Sequence, residues 1–470
     1  YSAIAVSCII MLVISPYILF NIGFQLSYAA TLGIVMLYGN ISKIITCSLI
    51  PKKAADVIAA TLAAQLGVLP VTLIHFNKIS VIAIIPNILS APLLEVTTVL
   101  GAIMAVAGQF SLALSKLIGY LNNIFLSMLL YITKWSAAVP YASVRTITPP
   151  LAAAAVYYLF IWFFLWYAPK KGIRIRLKHW AVVLATAAVF VAVSFTGPGV
   201  LDVVFLDVGQ GDSTFIRTYS GKTVLIDGGG SNNPETESKV GEMTVVPFLL
   251  DYGTGSIDVV IATHAHSDHI QGLEDVLNML SVKRLIIPSA EDMNDFGNLL
   301  SAADKKGIPV SVCSAGDTII LDDYTKMLVL NPQTGSRTEE ISVNNTSLVL
   351  KLCYGNTTIL FMGDAEKEAE ERLVKENGGS DSSEDLLKAD VIKVGHHGSD
   401  TSTSEPFIDR VDPDAAVISA GKNNKFGHPS PEVLDRLLRR GVKIFRTDEC
   451  GAVILQSDGR RIRMSRTVKE

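Results

Sequence analysis

Cysteine is scarce in this chain of 470 residues: there are five, far apart, and none forms a CxxC pair. That excludes a disulfide framework and a cysteine zinc site. Acidic side chains are almost missing from the first 197 residues, where Asp56 and Glu95 stand against 12 Lys+Arg. The remainder holds 28 basic and 42 acidic residues, so the net charge of −4 joins a half of +10 to a half of −14. Such an asymmetry marks one half solvated by lipid and one by water. An initiator Met and a basic n-region are also lacking. Tyr1 opens inside an apolar run, which excludes a signal peptide and predicts a fragment whose upstream part is missing. The length predicts two to three domains.

What is present in the first half is long apolar runs. A spanning helix needs ~20 mainly apolar residues to cross ~30 Å of hydrocarbon. Ala3–Leu19, Phe24–Tyr38, Ala54–Ile74, Val81–Ala107, Ile118–Tyr131, Leu151–Tyr167 and Trp180–Phe195 are candidates. Two of these, starting at Phe24 and Ile118, are short or interrupted, so six or seven spans are expected. Pro86-Asn87 and Ala91-Pro92 break the fourth run, and lipid tolerates such breaks only against protein or water. Glu95 is a carboxylate at membrane depth and marks either a pore lining or a helix end. The basic run Lys170–Lys178 belongs on the cytoplasmic side. One span follows it, so the chain should leave the membrane outside near Gly197-Pro198-Gly199, with the rest extracytoplasmic. The expected boundary places a membrane domain at 1–197 and a water-soluble domain at 198–470.

From Val200 the pattern turns to short β-branched runs, including Thr214–Arg217, Thr223–Ile226, Asp258–Ile261, Thr357–Phe361, Val391–Val394 and Ala415–Ser419. Helical patterns interleave at Gln271–Leu280, Asp292–Lys306, Glu366–Glu376 and Pro431–Arg440. This predicts two sheets flanked by helices. All six histidines of this half fall in tight polar-glycine motifs at strand ends: His264, His266, His269, His396, His397 and His428. Histidine with carboxylates suits zinc or manganese. In Thr263–His269 a bent loop can aim His264 and His266 at one ion and Asp268 and His269 at another. Asp364 can bridge both, and His396 can complete the second ion's shell. Gly395 and Gly398 permit close backbone approach there.

These residues carry a family resemblance. The domain from about Val200 resembles the metallo-β-lactamase superfamily, an αββα sandwich with metals at one edge. The whole chain resembles the C-terminal part of the ComEC-type competence proteins, which form the inner-membrane channel for DNA uptake. Phe205-Leu206-Asp207-Val208-Gly209-Gln210-Gly211-Asp212-Ser213, Ile226-Asp227-Gly228-Gly229, Val394-Gly395-His396-His397-Gly398-Ser399 and Phe426-Gly427-His428-Pro429 are similar to that group's motifs. Asn21–Ile34 is similar to the opening of its competence domain.

The resemblance implies that His264, His266, Asp268, His269, Asp364 and His396 bind one or two divalent ions, zinc or manganese. Many members place another histidine between the HxHxDH loop and the bridging Asp. Here Asn344-Asn345-Thr346-Ser347 stands in its place, which puts the first ion in question. The implied activity is a metal-dependent nuclease acting on single- and double-stranded DNA, with Asp268 as ligand and base and His397 and His428 touching phosphate or protonating the leaving group. Asp207 and Asp212 are candidates behind the ligands, although Gly-Asp turns explain them too. Implied partners are DNA, membrane lipid, other DNA-uptake machinery and, if these helices alone form the pore, a second copy. The charge of −14 opposes DNA binding. Its local exceptions, Arg436, Arg439, Arg440, Lys443, Arg446, Arg460, Arg461, Arg463 and Arg466, form either a track or a solvated face. Two other readings stay open: a membrane-bound hydrolase of another ester, and a DNA channel with an inactive hydrolase domain.

Overall fold

Apolar runs of helical length fold as helices in the first half. The computed structural model describes residues 1–45, 51–167, 199–231, 238–289, 293–334, 342–377 and 385–468. The span Trp180–Phe195, the basic run Lys170–Lys178 and the linker at Gly197-Pro198 lie outside the described residues. Two compact units divide the chain, Tyr1–Thr196 and Gly197–Glu470.

In the first unit, α1 (Ser2–Ile14), α2 (Ile22–Ile45), α3 (Lys52–Phe76), α4 (Ile84–Gly108), α5 (Leu112–Ala138) and α6 (Leu151–Ile161) follow one another, and β1 (Lys78–Ser80) pairs antiparallel with β2 (Ser143–Arg145) across α4 and α5. Four of them, α2 to α5, are long and apolar enough to cross a membrane. The runs that read as short, from Phe24 and Ile118, are therefore full helices of 24 and 27 residues. Polar residues such as Asn40, Ser115 and Lys116 hid their ends. α2 and α3 touch backbone to backbone. A Cβ on Gly33 would lie 2.5 Å from the Ala63 carbonyl, and one on Gly67 would lie 2.4 Å from that of Ala29. Small residues permit such an approach where no water helps drive association. Pro70 inside α3 has no N–H for the Leu66 carbonyl, and the Tyr157 hydroxyl donates to that oxygen instead at 2.9 Å.

In the second unit, β3 (Leu201–Phe205), β4 (Thr214–Arg217), β5 (Thr223–Ile226), β6 (Ser256–Ile257), β7 (Val259–Ile261), β8 (Ser281–Val282), β9 (Leu285–Pro288), β10 (Val310–Cys313), β11 (Thr318–Ile320), β12 (Thr325–Asn331), β13 (Val349–Tyr354), β14 (Thr357–Phe361), β15 (Val391–Lys393), β16 (Ala415–Ile418), β17 (Lys443–Arg446), β18 (Val453–Ser457) and β19 (Ile462–Arg466) build the sheets. One has eight strands in the order β10-β9-β7-β5-β4-β3-β18-β19, the other seven in the order β11-β12-β13-β14-β15-β16-β17. Alternate residues, among them Val203, Phe205, Ile261, Leu350 and Phe361, meet in a core between them. Helices α7 (Val246–Asp251), α8 (Ser267–Met279), α9 (Gly297–Lys306), α10 (Lys367–Asn377), α11 (Glu405–Val411), α12 (Pro431–Arg439) and the short α13 (Thr447–Cys450) complete the unit. Ala369, Leu373, Phe407 and Leu437 from α10, α11 and α12 pack with Ile392 and Ile418 in a second core. On the eight-stranded sheet, Phe215 meets Phe248 of α7 edge-on.

Pairing registers set the strand ends in two groups. Phe205, Ile226 and Ile261 end side by side, as do Phe361, Lys393 and Val417, and the segments that follow Ile261, Lys393 and Val417 carry the histidines. Turns at Gly221, Gly355 and Gly459 gather at the opposite end. The sheets are stitched at both ends, by Asn356 N–H to the Gly459 carbonyl (2.7 Å) and by Leu348 N–H to that of Thr263 (2.8 Å). A Cβ on Gly355 would stand 2.5 Å from that Gly459 oxygen.

Candidate metal centre

Asp227 follows β5 in a left-handed conformation (φ 56°) and faces the loop after β7. Its carboxylate accepts from Thr263 N–H (2.8 Å), from the Thr263 hydroxyl (2.7 Å) and from His269 Nδ1 (2.8 Å). One buried side chain thus fixes the loop and turns the far nitrogen of His269 inward. The glycines after Asp227 make this possible, since a Cβ on Gly228 would lie 2.4 Å from the Leu273 nitrogen of α8. Ser267 begins that helix, so Asp268 and His269 sit in its first turn.

On the other sheet, Gly363 (φ 53°) turns the chain after β14 and the Ser347 hydroxyl accepts from Asp364 N–H at 3.1 Å. After β15, His396 and His397 both take left-handed backbone (φ 47° and 55°), a strained arrangement for side chains with a Cβ.

Five side chains converge. The Nε2 atoms of His269, His397 and His264 lie 3.3, 3.6 and 3.8 Å from Oδ2 of Asp364, and His397 Nε2 lies 3.5 Å from Oδ2 of Asp268. The Nδ1 atoms are engaged elsewhere: Asp227 takes that of His269, Thr263 Oγ1 contacts that of His264 at 3.1 Å, and the Ser419 carbonyl faces that of His397 at 3.1 Å. Among the described residues, the three buried Nε2 atoms and Oδ1 of Asp364 find no hydrogen-bond partner. Buried polar atoms are seldom left so. Imidazoles held from behind, with a carboxylate between them, form the donor set of a divalent metal site. The residues present therefore fit the ion.

Charge follows from burial and proximity. Burial opposes ionisation of Asp364, yet His269 and His397 beside it hold its carboxyl well below the usual range. Burial also opposes charge on His397, but Asp364 and Asp212 outweigh it and raise its pKa to about 10. His269 is likewise raised against burial, by Asp364 and Asp227. His264 goes the other way, pushed down by burial and then by His269, which leaves a neutral imidazole ready to ligate. Metal binding here displaces protons.

Expected site residues fall in three groups. His264, His269, Asp268 and Asp364 converge, and so does His397, which was expected at the phosphate. Among the described residues, the clusters of three or more candidate ligand atoms lying within 4.8 Å of one another include His397 but neither His396 nor His266. The reason is that Glu366 Oε1 holds His396 Nδ1 at 3.0 Å, keeping that ring at the rim. His266, His396 and His428 line the same cavity of about 790 Å³ as Asp268, Asp364 and His397. Burial, then His397 and His396, push the pKa of His428 down. Asp207 caps a turn, accepting from Gly209 N–H at 3.2 Å, while Asp212 is buried in an ion pair with Lys393.

Two model families match this chain. The "Competence protein" model covers residues 1–171 and the "Metallo-beta-lactamase superfamily" model residues 206–422. The chain joins a competence-protein domain to a metallo-beta-lactamase domain. It is 33% identical to ComE operon protein 3 of Bacillus subtilis, over 96% of this chain and 57% of that protein. Identity to Competence protein ComA of Neisseria gonorrhoeae is 29%, over 59% and 35% of the two chains. Recombination protein 2 of Haemophilus influenzae is also 29% identical, over 53% and 28%. The chain thus spans about half the length, or less, of these relatives.

Three residues of the metallo-beta-lactamase domain escaped the sequence reading as parts of the centre: Asp227, Glu366 and Lys393. Asp227 carries a signal, an acidic residue closing a strand before three glycines. Lys393 carries none, because a lysine inside an apolar strand reads as an outward side chain. Nor does the basic track survive as drawn. Arg439 pairs with Asp435, Arg440 with Asp409, Arg446 with Asp448, and Arg436 donates to the carbonyls of Ser402 and Thr403. Lys443, Arg460, Arg461 and Arg463 remain exposed.

Proposed function

We propose that this chain takes part in DNA internalisation: residues 1–197 pass a single strand through the membrane, and residues 198–470 hydrolyse DNA phosphodiesters outside the cell, degrading the strand that is not taken up. The orphaned Nε2 atoms of His264, His269 and His397 around Asp364 carry the hydrolytic part of this reading. His264, Asp268, His269, Asp364 and His397 hold one or two divalent ions, zinc or manganese, and His266 joins from the cavity wall. His396 and His397 thereby exchange the roles expected from the sequence. Bound ions of this kind lower the pKa of water and polarise a phosphoryl oxygen. The chain's own residues do the rest. Asp268 takes the proton of the attacking water as its oxygen bonds to phosphorus and the P–O ester bond breaks. His396, steadied by Glu366, supplies the proton for the leaving oxygen. His428, kept neutral by its surroundings, contacts a phosphate oxygen. Phe426, stacked on His428 with ring centroids 5.7 Å apart, offers a base a face at the rim.

The test is cleavage of single- and double-stranded DNA by the purified chain in detergent with manganese or zinc, beside Asp268→Asn and Asp364→Asn. Metal-dependent cleavage lost in both variants supports the nuclease. Stoichiometric metal without cleavage points to another phosphoester or small-molecule ester. No metal at all leaves a channel with an inactive hydrolase domain.

A further inference from the structure

Two adjacent histidines share one turn and end in different places. His396 and His397 follow one another in left-handed backbone, φ 47° and 55°, and their rings leave the chain in different directions. Each ring is then held from behind, through Nδ1, by a carboxylate. Glu366 Oε1 holds His396 at 3.0 Å, accepts from the Thr401 hydroxyl at 2.7 Å, and leaves that imidazole 24% exposed at the rim. Asp212 Oδ1 stands 3.4 Å from His397 Nδ1, with side chains only 6 and 3% exposed. The same nitrogen faces the Ser419 carbonyl at 3.1 Å. An imidazole nitrogen between two acceptors carries the hydrogen. In the neutral ring the Nε2 lone pair of His397 is therefore free, 3.5 Å from Asp268 Oδ2 and 3.6 Å from that of Asp364.

Asp212 does not belong to the histidine turn. It lies between β3 and β4 of the eight-stranded sheet, whereas His397 follows β15 of the seven-stranded one. Lys393, the last residue of β15, reaches across: its ammonium meets Asp212 Oδ2, and its side chain is 3% exposed. A buried cation is tolerated when it is paired in this way. The Asp212 backbone is pinned as well. Its carbonyl accepts from Gly229 N–H at 2.7 Å, and a Cβ on Gly211 would lie 2.4 Å from the Asp268 carbonyl. With one carboxylate oxygen taken by the ammonium, the other is left for the imidazole. Among the described residues Asp212 Oδ1 has no other hydrogen-bond partner. We propose that Lys393, acting through Asp212, is a positioning residue that holds His397 as a ligand of the metal centre. The lysine itself touches neither ion nor substrate. Its ammonium anchors the carboxylate that keeps the hydrogen on Nδ1 and turns Nε2 toward the space between Asp268 and Asp364. Once the lysine is gone, the carboxylate is free to rotate, and the ring loses one of the two groups behind it.

This inference rests on reading His264, Asp268, His269, Asp364 and His397 as the ligands, and the experiment separates the two. The full chain in detergent is stripped of metal and titrated with manganese by calorimetry. It is then loaded with cobalt(II), whose visible absorption reports the donor atoms around the ion. Lys393→Met is expected to lose about 10-fold or more in metal affinity, and its cobalt spectrum is expected to move toward that of His397→Ala. In the double variant Lys393→Met/His397→Ala the loss should match that of His397→Ala alone, because the effects of two groups acting in series do not add. Thermal unfolding is the control for folding. If Lys393→Met does not fold, Asp212→Asn takes its place, since its one acceptor oxygen must serve either Lys393 or His397, and the same losses are expected. A folded Lys393 or Asp212 variant with metal affinity within twofold of the parent overturns the positioning role, and so do losses that multiply in the double variant. Failure of both variants to fold, beside a folded His397→Ala, makes the pair a folding element and overturns it too. A parent chain that takes up no metal removes the metal-centre reading itself, and this inference with it.

Discussion

Replacing Asp227 by asparagine changes one atom of a buried side chain and should disable the metal centre without unfolding the protein. The carboxylate accepts three hydrogen bonds, two from Thr263 and one from His269 Nδ1. In Asp227→Asn the amide oxygen can keep the Thr263 N–H, but the amide nitrogen then faces the imidazole. His269 Nδ1 must become an acceptor, and its proton moves to Nε2, the atom aimed at Asp364. A ligand nitrogen is thereby capped. Groups that orient metal-binding histidines are worth about 10- to 100-fold in metal affinity, or roughly 1.4 to 2.7 kcal/mol at 1.4 kcal/mol per tenfold. The assay is calorimetric titration of manganese or zinc into the metal-stripped chain in detergent, with thermal unfolding as the control for folding. A folded variant whose metal affinity stays within twofold of the parent would refute the tautomer argument and reduce Asp227 to a loop anchor.

Lys393→Met removes the lysine from the buried Asp212 and leaves it only His397 Nδ1, 3.4 Å away; it should cost about 3 kcal/mol of stability, read by denaturant unfolding. Gly363→Ala forces a Cβ to 3.0 Å from that of Ser347 at φ 53°; about 1–2 kcal/mol of strain and weaker metal binding at Asp364 are expected in the same two assays. The raised pKa of His397 fixes a pH dependence for the metal-free protein. Its folded-state proton contributes stability that is complete below the usual value of 6.5 and is lost as pH climbs to about 10; a melting temperature that rises across that window would contradict it. Neutralising Arg439 or Arg440, already paired, should leave the salt dependence of DNA binding unchanged, while Arg461→Ala or Arg463→Ala should each lower its slope by roughly 0.7 to 0.9 if those residues meet phosphate.

Strands whose apolar residues alternate or cluster, such as Thr357–Phe361 and Thr223–Ile226, are legible to the residue. β10, β11 and β19 are not, because they are edge strands. Val310, Ile320 and Arg463 face water there, so the pattern that betrays a buried strand is absent. The histidines and Asp364 stood out because polar ligands cluster at strand ends beside glycine. Which of two adjacent histidines turns inward was not legible: φ near +50° at both His396 and His397 sets their directions, and a turn of that kind follows from its neighbours, Gly395 packed on the Ala365 carbonyl and Glu366 reaching the His396 ring. In the membrane half, hydropathy reveals helices but not their partners. The pairing of α2 with α3 depends on Gly33 meeting Gly67, a contact visible only once both helices are in place.

Sheets stitched at both ends cannot swing apart like the covers of a book. A polymer bound for the metal centre has to arrive over the rim, past Phe426 and Gln210, rather than by prying the sandwich open. The bore of that approach, and with it any preference between a duplex and a lone strand, is then a property of a few surface residues that bear no part of the core. Preference and stability can drift independently in such a protein, and variants altered in one should be found with the other intact.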